Sequence, residues 1–477
     1  MGAPGAAQRK HTMSDPSAPW LDVPKARRIL ALAGPVILAM LTQTGVNIVD
    51  TYFIGKLPRA VASDGQFALT PSLMFLWAVG GFLSSVSVGT QATTARRYGE
   101  GRYEEAGAVL PNAMLIALVG GALGAAVGWV VLPSAFRLLS DNPNVVALGT
   151  GYSRWRFLGI ASMAATAACK SFYDGIGVTH LHLVAAVIMN IINLFLCWVF
   201  IFGHLGAPAM GVEGAGLAAC LSTWVGFAVM LAFTFRGADR ARYRFFRAGV
   251  LSASTITQLL KLSVPGGVAT SVVMFGFLLF TKVVGRIDAA AMAAGASHSY
   301  NGAATTIIIE VLSATFVSCL AFGTSTATLV GQSMGQGDAA LAERYAWTSV
   351  KLGAIIFGAL GLVMFLTPDG VLRVFSHEPE VVAVGALPMR MMAAMGPVVA
   401  TAMILTQALF GAGETRYVMV VELTLHFLCL VPLAWVLGMV LGFGLPGVWA
   451  AAGVYALALA AAMVVKFAGG SWKKLTV

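Results

Sequence analysis

Charge is scarce in this chain. Of its 477 residues only 10% are Asp, Glu, Lys or Arg, and the acids number 20. A soluble domain carries roughly 25% charged residues, so a soluble enzyme is excluded. Cysteine is also sparse. Cys169, Cys197, Cys220, Cys319 and Cys429 all fall in apolar stretches, and no two form a CxxC pair. That argues against metal and disulfide roles and for small core residues. The sequence has no nucleophile elbow, phosphate loop or metal-ligand cluster, and its loops are too short for the polar rim that a membrane transferase needs. Neither a cofactor nor a resident metal is expected. The net charge of +10 does not imply nucleic acid. In an apolar chain, basic residues record orientation and contact with anionic lipid.

Hydrophobic residues make up 58% of the chain, and its mean hydropathy is +0.83. A membrane helix needs about 20 mostly apolar residues. By that rule the sequence holds twelve spans, near 28–54, 68–93, 107–132, 149–174, 181–204, 212–235, 258–284, 302–330, 345–368, 386–411, 416–440 and 445–469. The expected fold is an all-α integral membrane protein. Residues 1–25 read as a disordered tail, without the short apolar core and small-residue cleavage site of a signal peptide. Lys and Arg collect on one side: Arg27 and Arg28, Arg96, Arg97 and Arg102, Arg236 to Arg247, Arg344, Arg416, Lys473 and Lys474. The positive-inside rule then puts both termini in the cytoplasm.

The basic segment 236–252 divides the chain, and the halves resemble each other. Pro35 and Gly55 match Pro265 and Gly285, each 230 apart. Gly99 and Gly101 match Gly335 and Gly337; Arg154, Gly175, Gly177 and Thr179 match Arg390, Gly411, Gly413 and Thr415, all 236 apart. Gly211 and Gly214 match Gly444 and Gly447 at an offset of 233. Six spans per half make the repeats parallel, related by a pseudo-two-fold axis along the membrane normal. The lobes are 26–235 and 253–470, with a cytoplasmic tail at 471–477. This is a transporter architecture, expected to be monomeric in a plasma membrane.

Few polar residues interrupt the spans. Gln43, Asn47 and Asp50 share one face of span one at i, i+4 and i+7. An acid at such depth reads as functional, or as a carboxylate wetted at the span's end. Asn190, Asn193 and Cys197 form a matching stripe on span five, either meeting span one or gluing helices together. Ser222 and Thr223 on span six add oxygens or bond their own backbone. Glu310 sits mid-span in span eight between Thr306 and Ser313, as a substrate-neutralising acid, a second proton carrier or a structural acid. Glu422 and His426 on span eleven read as a local pair or a proton relay. Lys170 and Asp174 form another i, i+4 pair, with Lys170 snorkelling. Arg154 and Arg390 anchor helix ends. Met389, Met391, Met392, Met395 and Met403 suit either a promiscuous surface or a core. Phe275, Phe277 and Phe280 face lipid or a cationic ligand.

Several segments together resemble the multidrug and toxic compound extrusion (MATE) family: Pro35 to Gly55, Gln91 to Ala106 (QATTARRYGEGRYEEA), Val330 to Asp338 (VGQSMGQGD), Asn190 to Gly203, Met210 to Ala215 and Gln407 to Thr415. The likeness covers residues 26 to 470. It implies export of small organic, often cationic or amphipathic, compounds in exchange for protons or sodium. It also implies that Asp50, near Asn193, is the ion-coupling residue. Many relatives carry an acid one turn beyond that Asn, where this chain has Cys197, and others carry one on span seven, where it reads Thr270 to Phe275 without an acid. A thiol is a poor ligand for a hard cation, so a sodium site at Asp50 and Asn193 loses support. A proton needs only one carboxylate, because burial disfavours the charged form. The resemblance therefore points to proton coupling, with sodium as the alternative. A flippase for lipid-linked precursors is a rival within transport, but such flippases often have more spans and a more cationic cavity.

Overall fold

The computed structural model describes the backbone of residues 21–139, 142–293, 299–376 and 378–475. The side chains of 43–51, 59–64, 66, 67, 70 and 139 lie outside the described residues. Every described regular element is helical. A bilayer offers no hydrogen bonds to the backbone, so each segment must satisfy its own.

The expected spans all coincide with helices. Span one is Val23–Gly55, span three Tyr103–Leu139, span five His180–Phe202 and span six Val212–Phe233. Spans seven, eight and nine are Ala253–Ala293, Tyr300–Gly335 and Ala339–Leu366, and span twelve is Gly444–Ala468. Four spans are interrupted. Span two runs from Arg59 through a π-turn at Trp77–Gly81 to Gly99. Span four breaks at Gly159 between Pro143–Leu158 and Ile160–Gly175. Span ten breaks at Met395, bending 51° between Pro379–Ala394 and Gly396–Ala412. The breaks in spans four and ten are repeat-related, since 395 − 159 is again 236. Span eleven, Thr415–Val440, contains π-turns at His426–Leu430 and Val436–Val440.

Among the described residues, nine helices are long and apolar enough to cross a membrane, or ten with the bent pair. Span one and the two short segments of span four complete the twelve found in the sequence. The repeated glycines have a backbone cause. Gly101 and Gly337, Gly177 and Gly413, and Gly211 and Gly444 all have positive φ, between 55° and 91°, where a Cβ is strained.

The lobes meet on the face that carries the basic loops and both ends of the described chain. There span two packs against span eight, and the contact obeys the repeat. A Cβ on Gly99 would lie 2.1 Å from the Gln332 carbonyl oxygen, and one on Gly335 would lie 2.1 Å from the Arg96 carbonyl oxygen. Residues 96 and 332 differ by the same 236 as 99 and 335. Such reciprocity is what a two-fold axis through the seam produces.

Side chains fasten the same seam. Gln91 Nε2 donates to the Thr324 carbonyl at 2.8 Å and to Thr328 Oγ1 at 2.9 Å. Thr328 Oγ1 in turn donates to the Asp174 carbonyl at 2.9 Å, and Gln332 Nε2 donates to the Gly175 carbonyl at 2.8 Å. The start of span one joins in, with Ala26, Ile29 and Ala33 buried in one core with Phe322, Leu329 and Val330.

Candidate functional site

Span one lies along span five. Asn190 Nδ2 donates to the Thr42 carbonyl oxygen at 2.7 Å. One turn past Asp50, Ile54 shares a buried core with Cys197 and Ile201. The backbone turn that carries Asp50 therefore runs beside span five between these two contacts. The side chains of Gln43, Asn47 and Asp50 themselves lie outside the described residues.

The polar stripe of span five divides. Asn190 turns to span one, and its Oδ1 is buried with no partner among the described residues. Asn193 is fully buried and turns to span six, where its Nδ2 lies 3.5 Å from Ser222 Oγ. Cys197 Sγ stands 3.9 Å from Asn193 Oδ1, a weak contact for a thiol. Ser222 and Thr223 spend their hydroxyl hydrogens on the Ala219 and Cys220 carbonyls at 2.9 and 2.8 Å, the local bonding that hydroxyl residues commonly make in helices.

In the second lobe Glu310 is exposed. Thr306 Oγ1 donates to the Gly302 carbonyl at 3.0 Å, and Ser313 Oγ donates to the Glu310 carbonyl at 2.7 Å. Both hydroxyls are thus used within the helix, and the Glu310 carboxylate has no ion pair among the described residues. Phe280, at the position 230 beyond Asp50, is buried edge-on against Trp449 with centroids 5.2 Å apart. The acid of the first lobe is replaced in the second by core packing.

Glu422 and His426 are both buried, and their side chains meet, His426 Nδ1 lying 3.2 Å from Glu422 Oε2. Tyr455 of span twelve donates to the same carboxylate oxygen at 2.8 Å. The sequence reading missed Tyr455, since nothing in the order of residues brings span twelve to this turn. Lys170 pairs with Asp174 at 2.8 Å, with Asp174 fully buried, so the lysine points to its acid. Met389, Met392 and Met403 pack in the second-lobe cores, which decides their role as filling, while Phe275 and Phe277 are exposed. Arg154 stacks 4.9 Å from the Trp129 ring centre, and no group of three or more His, Cys, Asp or Glu among the described residues is placed to hold a metal ion.

A family model described as MatE matches residues 35–199 and again 265–436, one match per lobe and beginning at the repeat-related prolines. Among curated proteins, the probable multidrug resistance protein NorM of Thermotoga maritima is 24% identical over 96% of both chains. The multidrug resistance protein PmpM of Pseudomonas aeruginosa is 25% identical over 89% of this chain and 87% of its own. Among solved structures, the Vibrio cholerae MATE transporter VcmN in its bent form superposes with a TM-score of 0.81 at 18% identity, covering 94% of this chain and 97% of that one. The eukaryotic MATE transporter AtDTX14 gives 0.82 at 15% identity, covering 95% and 97%. The twelve helices, their two repeat-related lobes and a family match in each lobe lead to one conclusion: the chain belongs to the MATE family of membrane transporters.

Proposed function

We propose that this protein exports small organic compounds, often cationic or amphipathic, across a plasma membrane by antiport with protons, sodium being the alternative ion. The observation that carries this reading is the reciprocal seam between the lobes. They are locked together on the basic face by Gly99, Gly335, Gln91, Thr328 and Gln332, while the Thr306, Glu310 and Ser313 face of span eight stays exposed. With the basic face cytoplasmic, as the positive-inside rule requires, this is a state closed to the cytoplasm. Alternating access breaks that seam and forms another on the opposite face.

Asp50 is the coupling acid, with Asn47, Gln43, Asn190 and Asn193 as its polar surroundings. Cys197 in place of an acid supports a proton in preference to sodium, because it removes a hard oxygen ligand. Glu310 offers an exposed negative charge to a cationic substrate. The likeness to the multidrug resistance proteins NorM and PmpM supports drugs as the substrate class.

Reconstitution in liposomes with imposed gradients tests the reading. Wild type should move an organic cation against its gradient when a proton gradient is applied, and Asp50→Asn should abolish that movement. A sodium gradient that drives wild type while a proton gradient does not would reverse the choice of ion.

A further inference from the structure

We propose that Arg156 of span four is a second charged residue of the first-lobe coupling site, a cation held beside Asp50 that offsets its carboxylate. Four helices of that lobe meet in one apolar layer, where Ile54, Tyr152, Cys197 and Ala218 share a buried core. Spans one and five run outward from the basic face, and spans four and six run inward. One turn deeper is therefore residue i−4 on the first two and residue i+4 on the others. That step leads from Ile54 to Asp50, from Cys197 to Asn193, from Tyr152 to Arg156 and from Ala218 to Ser222. Asn193 and Ser222 do meet, at 3.5 Å, which fixes the deeper layer on two of the four helices.

Close contacts with span six set the depth of Arg156. A Cβ on Gly216 would lie 3.2 Å from Trp155 Cβ, and one on Gly159 would lie 3.4 Å from Cys220 Cα. Arg156 is thus level with the stretch of span six between 216 and 220, and Cys197 shares its core with Ala218 of that stretch. The backbone turn of Asp50 runs beside span five at this height, between the Thr42 and Ile54 contacts. The face is set as well. Arg156 follows Tyr152 by one turn, and its guanidinium carbon lies 5.8 Å from the Tyr152 ring centre, so both belong to the inner side of span four. Arg154 points away and stacks on Trp129.

A guanidinium at this depth is as costly as a carboxylate, and charges inside spans pair with one another. Arg156 is part-buried. Among the described residues its Nε is buried with no hydrogen-bond partner, and it forms no ion pair. Two further acids of the lobe stand at other levels. Glu213 of span six lies against Gly151, where a Cβ would be 2.3 Å from Glu213 Oε1, more than a turn short of Arg156. Asp64 of span two precedes Gly65, whose Cβ would meet Val212 and Ile54 in the apolar layer.

The repeat supplies an independent argument. The position 230 beyond Asp50 is Phe280, and the position 236 beyond Arg156 is Met392. Both are buried in the same second-lobe core. The second lobe therefore lacks the cation as well as the acid, and side chains of one core fill both places. Two charges present together in one lobe and replaced together in the other behave as a pair. The consequence for transport rests on the efflux reading: an ionised Asp50 ties span one to span four through Arg156, and a proton on Asp50 removes the charge that makes the tie. Arg156 is in this sense a positioning residue.

Thermal unfolding of the full-length protein in detergent tests the pair, with Arg156→Met, Asp50→Asn and the double variant. Each single change strands or unbalances the other residue and should lower the melting temperature. The double change should lose less than the sum of the two single losses. Losses that simply add overturn the pair. A proximity measurement needs no comparison of stabilities. In a chain cleared of its own cysteines, Asp50→Cys with Arg156→Cys should be bridged by a short bifunctional thiol reagent, whereas Asp50→Cys with Arg154→Cys should not. Absence of the first bridge also overturns the pair. In liposomes Arg156→Met should lose most of the gradient-driven transport, and Arg156→Lys should recover part of it; full transport in Arg156→Met overturns the tie. Non-additive losses in a protein that no proton or sodium gradient drives overturn the efflux reading and leave the pair. Additive losses in a protein whose gradient-driven transport is abolished by Asp50→Asn overturn the pair and leave the efflux reading.

Discussion

Asp174 shows how one side chain sets the cost of changing another. It is fully buried, Lys170 holds one of its oxygens at 2.8 Å, and the other oxygen has no partner among the described residues. Lys170→Met would strand the carboxylate, and breaking such a pair costs on the order of 3 kcal/mol. A lower thermal midpoint in detergent is expected, with much of the loss recovered in Lys170→Met combined with Asp174→Leu, because an apolar pair avoids the stranded charge. Outside the membrane, Asp22 caps span one by accepting from the Lys25 backbone N–H at 3.2 Å. Its hydrogen bond to the Lys25 side chain holds the carboxyl below 3.8, its ordinary value. A depressed folded value means that the stabilisation is complete above the unfolded value and is lost as pH falls through the folded one. Asp22→Ala should speed amide exchange in the first turn of span one near neutral pH, and the difference from wild type should begin to shrink only below about pH 3.8 and vanish as pH falls through the lower folded value.

At the scale of elements, the informative places are where helices break or press on one another. Gly276→Ala would drive a methyl into the His426 ring, and overpacking of this kind costs about 1–3 kcal/mol. The expected result is a lower melting temperature, relieved by His426→Ala in the same chain. Gly335→Ala would press a methyl onto the Arg96 carbonyl of the other lobe, where backbone cannot give way as a side chain can. The seam should loosen, seen as faster maleimide labelling of a cysteine placed at Thr328. The breaks themselves were only partly legible. Gly159 is a plain helix-weakening residue, while its counterpart Met395 is not, and the local signal there lies in the Gly396-Pro397 that follows. Span ten bends there because Gly396 packs with room for no Cβ against the Phe357 carbonyl, and Pro397 follows at the start of the next helix.

For the molecule as a whole, the lobes must separate on the basic face if access alternates. Cysteines replacing Gln91 and Thr328, in a chain cleared of its own cysteines, should lock that face when bridged by a short crosslinker. Transport should stop on crosslinking and return on cleavage of the linker, while crosslinking either single variant should leave transport intact.

The sequence by itself determined the membrane fold, because scarce charge and twelve long apolar stretches leave a bilayer as the only suitable solvent. It also determined the two-fold repeat, since glycines at left-handed positions and a shared offset survive as identities along the chain. It marked Asp50, Glu310, Glu422 and His426, because an ionisable group stands out in an apolar span whatever its neighbours. Only the tertiary structure decided how those groups are surrounded. Asn193 turns to span six, Glu310 lacks a partner among the described residues, and Tyr455 arrives from a different helix, because helix rotation is set by packing between spans that are distant in the chain. The scarcity of charge that first excluded a soluble protein also makes each remaining buried pair consequential: in a low-dielectric interior, partners placed by the fold decide which groups hold a proton.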